Sequence, residues 1–268
     1  MNTTLTMLGT GNAMCMRCFN TCFYLRAASG GLLVDAGGGN GIFRQLHRGR
    51  VAIEEIHHLF VTHCHTDHIM GVVWLIRKIS PMIYKGKFPG TLTIYGHDEV
   101  IHAIRVMCDL MVPAKITSAL DHTILLRTVT DGEQLTIADM PFTFFDIAST
   151  KAKQYGFRMT LPDGQSLACL GDEPYQPSSE KYVRGCDWLL CEAFCCYKHR
   201  QQFNPYEKNH STALDAGRLA QELGVKNLVL YHTEDRYLAT RRLIYTDEAT
   251  QHFTGRIFVP DDLETLQL

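Results

Sequence analysis

No apolar stretch in this chain reaches the length needed to cross a bilayer, and the first residues, Met1-Asn2-Thr3-Thr4, carry neither the basic segment nor the long apolar core of an export signal. A cytoplasmic protein with no membrane partner is the expectation. A strong charge of either sign is also missing, since 26 basic and 28 acidic residues leave a formal net charge of -2. Without a global basic field a chain does not grip nucleic acid non-specifically, so any polyanionic substrate would have to be held by local cations. A small or end-bound substrate fits that balance better. Neither a low-complexity linker nor an obvious domain break interrupts the sequence, and a single domain spanning 1–268 is expected.

Disulfide frameworks are also not expected. Ten cysteines occur in a chain without export signals, which predicts reduced thiols. Cys15 and Cys18 form a CxxC, but no second CxxC follows to complete a four-thiolate zinc site. Cys195 and Cys196, close to Cys191, are expected to pack as small apolar residues.

Against these absences stands one dense run, Thr62-His63-Cys64-His65-Thr66-Asp67-His68. The segment Ile56 to Val61 before it is mostly apolar, so His63 and His65 fall two apart at a strand end and point the same way. Asp67 and His68 fall in the turn that opens the apolar stretch Ile69 to Ile79, whose spacing predicts a helix, and from there they can address a second ion beside the first. A lone histidine at a strand end is ordinarily a satisfied polar group, but four ligands at this spacing are not explained that way. Imidazole and carboxylate sets select zinc, manganese or iron rather than calcium, and three histidines favour zinc, with manganese as the second choice.

Short apolar runs bounded by turn residues predict strands at Leu5 to Leu8, Cys22 to Leu25, Leu32 to Val34, Leu59 to Val61 and Leu92 to Tyr95, with helices at Gly41 to His47, Ile69 to Ile79 and Glu99 to Met111. Hairpin-like strands follow at Ile124 to Thr128, Gln134 to Ile137, Phe142 to Ile147, Gly156 to Leu161 and Ser166 to Leu170, the last two joined by a Pro162-Asp163-Gly164 turn. A strand at Trp188 to Cys191, a helix at Thr212 to Leu223 with Ser211 as its N-cap, and a strand at Asn227 to Tyr231 complete the pattern. Strands with interspersed helices imply an α/β chain with sheets covered by helices.

The cluster resembles the signature of the metallo-β-lactamase superfamily, and the later motifs occur in the right order. The resemblance implies an αββα four-layer sandwich, two mixed sheets face to face with helices outside. By it, Asp172 in Leu170-Gly171-Asp172 is the bridging carboxylate, and His232 in Leu230-Tyr231-His232-Thr233 is the late ligand of the second ion. Site one is then His63, His65 and Asp172, and site two is Asp67, His68, His232 and Asp172. The segments Leu8-Gly9-Thr10-Gly11, Val34-Asp35-Ala36-Gly37, Tyr155-Gly156-Phe157-Arg158, Cys191-Glu192-Ala193 and His210-Ser211-Thr212 together look like the ribonuclease Z branch. In that branch a glutamate and a histidine beside the metals help protonate the departing oxygen; here they would be Glu192 and His210, which with Asp67 form the expected catalytic set. A carboxylate held against an imidazole is expected to raise its basicity.

One ligand is absent. The superfamily histidine that completes site one aligns with Ala148 in Phe144-Phe145-Asp146-Ile147-Ala148-Ser149-Thr150, and a methyl group cannot coordinate metal. Ser149 and Thr150 are poor zinc ligands, and Asp146 would lie roughly 6.6 Å further back along a regular strand. Either this is a natural variant with a weakened first site or a substitution has been introduced into an active enzyme; the otherwise intact site favours the second.

Asp35 is expected to orient a ligand histidine, and Gly37-Gly38-Gly39 to form a tight turn. Lys151, Lys153 and Arg158 would meet an anionic substrate if their segment lines the cleft. Between Tyr155 and Asp172 there is room only for a hairpin, whereas tRNA-processing members insert a protruding arm there. The expected function is a dinuclear-metal phosphodiesterase acting on a cyclic nucleotide, an oligonucleotide or an RNA 3' end, impaired by Ala148. Hydrolysis of a lactone, thioester or lactam, or non-catalytic binding by a degenerate site, are the alternatives. Family members often form homodimers whose partner helps close the cleft, and the resemblance implies a homodimer here.

Overall fold

The computed structural model describes residues 3–268. Its first half opens with strands β1 (Thr4–Gly9), β2 (Cys22–Ala27) and β3 (Gly30–Val34) as an antiparallel meander. Strands β4 (His58–Phe60), β5 (Leu92–Gly96) and β6 (Ile124–Thr128) then add in parallel, separated by helices α1 (Gly41–Arg48), α2 (Thr66–Tyr84), α3 (Asp98–Met111) and the short α4 (Ala114–Thr117).

The second half repeats that plan. Strands β7 (Gln134–Ile137), β8 (Met140–Asp146), β9 (Tyr155–Thr160) and β10 (Ser166–Cys169) form the meander, and β11 (Trp188–Glu192), β12 (Asn227–Tyr231) and β13 (Arg256–Phe258) add in parallel. Helices α5 (Glu180–Val183), α6 (Arg200–Phe203), α7 (Ala213–Glu222) and α8 (Arg241–Ala249) lie between them, and β14 (Thr265–Gln267) returns to pair with β1. The two sheets run β14-β1-β2-β3-β4-β5-β6 and β13-β12-β11-β10-β9-β8-β7.

Burial shows how these layers stack. Phe23, Leu25, Val34 and Phe60 from the first sheet join Phe144, Phe157, Leu190 and Tyr231 from the second in one core between the sheets. The opposite face of the first sheet, with Leu33 and Leu59, packs on Leu46, Val72, Ile76 and Ile104 of α1, α2 and α3. The opposite face of the second, with Leu189 and Leu230, packs on Ala216, Ala220 and Tyr245 of α7 and α8. This is the αββα four-layer sandwich that the resemblance implies. Strands β11 and β12 are buried on both faces, which is why they are nearly continuous apolar runs, whereas the edge strand β7 is mostly uncovered.

Three local expectations change. Asp67 and His68 lie inside the first turn of α2 rather than in a turn before it, with His65 as the N-cap. Thr212, not Ser211, caps α7, in a capping box with Asp215. Ser211 is already committed, its N–H and hydroxyl both donating to Glu192. Elements α8, β13 and β14 carry no matching sequence expectation.

Candidate metal centre and cleft

The cluster meets at the ends of strands facing one edge of the sandwich. Helix α2 is brought against the end of β3 by Gly71, whose missing side chain leaves room for the carbonyl oxygen of Ala36. Two backbone bonds, Ala36 N–H to His68 O and Gly71 N–H to Gly37 O, both 2.9 Å, hold that contact. It sets His68 beside Asp35, a residue with φ 57°, in the left-handed region where aspartate is tolerated better than most side chains.

Two ligand groups result. His63, His65 and Asp172 form one, and Asp67, His68 and His232 the other, each with atoms within 4.8 Å of one another. Asp172 Oδ2 joins the groups, standing 3.6 Å from His63 Nε2, 3.4 Å from His68 Nε2 and 3.4 Å from His232 Nε2. Its other oxygen accepts from Gln154 Nε2 at 2.6 Å.

The tautomers of His68 and His232 follow from the far side of each ring. His68 Nδ1 donates to Asp35 Oδ2 at 2.7 Å. The Thr21 hydroxyl gives its proton to Gly11 O, so Oγ1 accepts from His232 Nδ1 at 3.1 Å. The Thr62 hydroxyl donates to Asp35 Oδ2 and lies 2.9 Å from His63 Nδ1, an atom that the Gln154 amide Nε2 also approaches at 3.2 Å. His68 and His232 therefore turn Nε2 toward the same carboxylate oxygen; against its burial, Asp35, Asp67 and Asp172 hold the His68 imidazole well above its ordinary range, and a cation between these groups would take the place of its Nε2 proton. His68 Nε2 is buried without a hydrogen-bond partner.

Tetrahedral zinc with ligands at about 2.0–2.2 Å separates neighbouring ligand atoms by roughly 3.4 Å. The Asp172 contacts and the 3.3 Å from His68 Nε2 to Asp67 Oδ2 match that spacing. His63 Nε2 and His65 Nδ1 are closer, 2.8 Å apart, and would have to part to share an ion. The second group fits a divalent ion as it stands, and the first fits less well.

Burial opposes ionisation of Asp172, but His63, His232 and His68 more than offset it and hold its carboxyl well below the usual range. Burial likewise opposes ionisation of Asp67, and His68 outweighs it. Both remain ligand-competent carboxylates.

A cleft of 690 Å³ opens over the centre, lined by His65, Asp67, Asp172 and His232 on its floor and by Lys151, Phe194 and His210 among its walls. His210 stacks face to face on Phe194, with ring centroids 4.8 Å apart. Glu192 Oε2 lies 3.7 Å from His210 Nδ1, beyond hydrogen-bond range, and both atoms lack partners. Burial pushes Glu192 up to about 8 and His210 down to about 3, the latter aided by His232 and Lys151. The expected rise in His210 basicity is therefore not seen, because burial outweighs a carboxylate that is itself neutralised.

Lys151 reaches the cleft, its Nζ 3.4 Å from His210 Nε2. Lys153 and Arg158 do not line it: Lys153 pairs with Asp98 at 2.5 Å, and Arg158 donates to the Tyr182 carbonyl at 2.7 Å. Asp146 Oδ1 is occupied by the Ala148 N–H. Gln154, Thr21 and Asn209, which holds Glu173 at 2.9 Å, carry no sequence signal, since a neutral side chain becomes part of the centre only through the fold.

The ribonuclease Z of Nocardia farcinica is 26% identical over 98% of this chain and 97% of its own length. Among solved structures, the metallo-β-lactamase fold protein YhfI of Bacillus subtilis superposes with a TM-score of 0.79 at 20% identity, covering 100% of both chains. The human short-form tRNase Z does so with a TM-score of 0.73 at 20% identity over 98% of each chain. The fold is that of the metallo-β-lactamases, and the chain is a ribonuclease Z-like, metal-dependent hydrolase. A family match running from residue 3 to residue 251 is more specific than these, and the chain belongs to the family described as Anti-Pycsar protein Apyc1.

Proposed function

We propose that this protein is a phosphodiesterase acting on a small nucleotide phosphodiester, a cyclic nucleotide before an oligonucleotide or an RNA 3' end, with two divalent ions at its centre. The observation that carries this reading is the convergence of three imidazole Nε2 atoms on Asp172 Oδ2 at the floor of the cleft. Size argues for the substrate: 690 Å³ is within the usual range for a small-molecule pocket. Between β9 and β10 lies only a tight turn, with Gly164 N–H bonded to Leu161 O, so no arm projects there to hold a folded RNA.

His63, His65 and Asp172 would hold one ion, and Asp67, His68, His232 and Asp172 the other, with zinc first and manganese second in expectation. When bound, such ions supply a nucleophile from water at neutral pH and neutralise charge on the phosphoryl oxygens. The chain's own residues do the remaining work. Asp35 and Thr21 fix the tautomers of His68 and His232, Gln154 aims Asp172, and Lys151 meets the phosphate at the cleft wall. His210 and Glu192, the latter kept protonated near neutral pH by its burial, would serve the departing alkoxide, a need that a carbonyl substrate does not share.

Ala148 would leave the first ion one ligand short. Its φ of 57° supports the view that histidine belongs there, since histidine is several-fold enriched in left-handed backbone and alanine is not. Exposed Met14 and Met16 beside the cleft fit closure by a second copy of the chain, and a particle of 30.3 kDa in light scattering would exclude that homodimer.

The deciding experiment loads Ala148→His with zinc or manganese and assays model diesters, cyclic nucleotides, short oligonucleotides and RNA. Cyclic nucleotides should turn over at least tenfold faster than in the Ala148 chain. Cleavage of no phosphodiester across that panel ends the proposal.

A further inference from the structure

A second group of metal-ligand side chains lies apart from the dinuclear centre. Cys15 and Cys18, in the loop between β1 and β2, meet Asp235 from the segment after β12, with one ligand atom from each within 4.8 Å of the others. Gly11 makes the room for both sulfurs, because a Cβ on it would fall 2.5 Å from Cys18 Sγ and 2.8 Å from Cys15 Sγ. Asp235 is held in place from one side: its Oδ2 accepts the backbone N–H groups of Met16 and Arg17, each at 2.7 Å. Among the described residues, no hydrogen bond ends on its Oδ1.

Once deprotonated, two thiolates and a carboxylate at this spacing would repel one another unless a soft divalent ion lay among them.

We propose that Cys15, Cys18 and Asp235 bind a zinc ion of their own, with the fourth tetrahedral position open to solvent. Thiolate ligands select zinc over harder ions, and two thiol protons leave as the ion binds. The site fastens the β1–β2 loop to the segment following His232, already joined by the Cys15 Sγ to Thr233 carbonyl contact at 3.2 Å. Asn12, Ala13, Met14, Cys15 and Asp235 all line the cleft, so the ion would fix one of its walls. Sequence alone shows two of the three ligands, the CxxC, and hides Asp235, which joins them through the fold.

Cobalt(II) loading of the reduced full chain tests this, since only thiolate ligation gives a sulfur-to-cobalt charge-transfer band in the near ultraviolet. The band should appear in the chain as it stands and persist in His68→Ala, because the dinuclear centre has no thiolate. It should be lost in the Cys15→Ser, Cys18→Ser double variant, with zinc content falling by one equivalent per chain, and weaken in either single variant. Absence of the band from the reduced chain overturns the proposal. So does its survival in the double variant, which would assign it to another thiol such as Cys64. A Cys15–Cys18 disulfide formed with glutathione disulfide, in a chain that gives no band when reduced, identifies a redox pair instead and equally overturns it.

Discussion

Asp35 grips His68 by its far nitrogen, with Oδ2 2.7 Å from Nδ1, while Oδ1 of the same carboxylate accepts the Thr62 N–H at 2.8 Å. One side chain thus sets the tautomer of a ligand on α2 and anchors the strand end that carries His63. Replacing it by asparagine allows an amide N–H to face Nδ1, which would turn the ring's proton to Nε2, the atom aimed at Asp172. Asp35→Asn is therefore expected to weaken metal binding by about 10–100-fold, the usual cost of losing such a partner, as measured by chelator competition. Unchanged affinity would mean that Asp35 only satisfies buried donors.

The contact that delivers His68 is equally exposed to test. A methyl at Gly71 would meet the carbonyl oxygen of Ala36, backbone against backbone, with no flexible side chain to give way. Gly71→Ala is expected to cost about 1–3 kcal/mol in urea unfolding, as overpacking does, and to reduce metal content as α2 is pushed from β3. A loss of stability with metal content unchanged would separate the packing of α2 from the placing of His68.

Much of this centre was legible from residue order. His63, His65, Asp67 and His68 are close in sequence, so strand and helix periodicity suffice to bring them together. What periodicity cannot show is a partner supplied from far along the chain: Thr21 meets His232 across 211 positions, and Gln154 meets His63 across 91. The helix α8 was missed for a related reason. Its buried face is Arg241, Tyr245, Glu248 and Ala249, so half of the residues that cover the sheet look like surface in a hydropathy pattern. Ser211 and Thr212 are both plausible caps by residue type, and only Glu192, distant in sequence, decides between them.

Arg241 itself yields a prediction. It is buried, with Nη1 donating to the hydroxyls of Thr10 and Thr233 at 2.9 and 2.8 Å and Nη2 to the Pro260 carbonyl at 2.7 Å. These bonds brace the segment directly after His232. Arg241→Ala removes a buried, multiply bonded cation and should destabilise the fold by about 3 kcal/mol, read as a fall in the urea midpoint. A change under about 0.5 kcal/mol, typical of surface substitutions, would contradict its bracing role.

Gln154 decides which oxygen of Asp172 faces the ions, by holding Oδ1 at 2.6 Å. Gln154→Leu should loosen that aim and weaken metal binding about tenfold or more. Gln154→Glu should be worse, since it sets a second buried carboxylate against the first and leaves one of them to be protonated or expelled. The order of the two variants is the informative result, because a purely steric role for Gln154 would make the near-isosteric glutamate the milder change.

His210 separates phosphodiester from carbonyl chemistry. Its ring is fixed by stacking on Phe194 and stands with Nε2 toward Lys151 and the cleft, so it can address an oxygen that leaves but takes no part in fixing the ions. In an Ala148→His background, His210→Ala should lower turnover of alkyl-leaving diesters by about 100-fold or more, the scale of general acid catalysis. A nitrophenyl diester, whose leaving group departs without a proton, should lose less than about tenfold. Metal content should be unchanged. Equal losses for both leaving groups would assign His210 to binding rather than to proton transfer, and a lactone whose hydrolysis ignores the substitution while diesters go uncleaved would move the whole site to carbonyl chemistry.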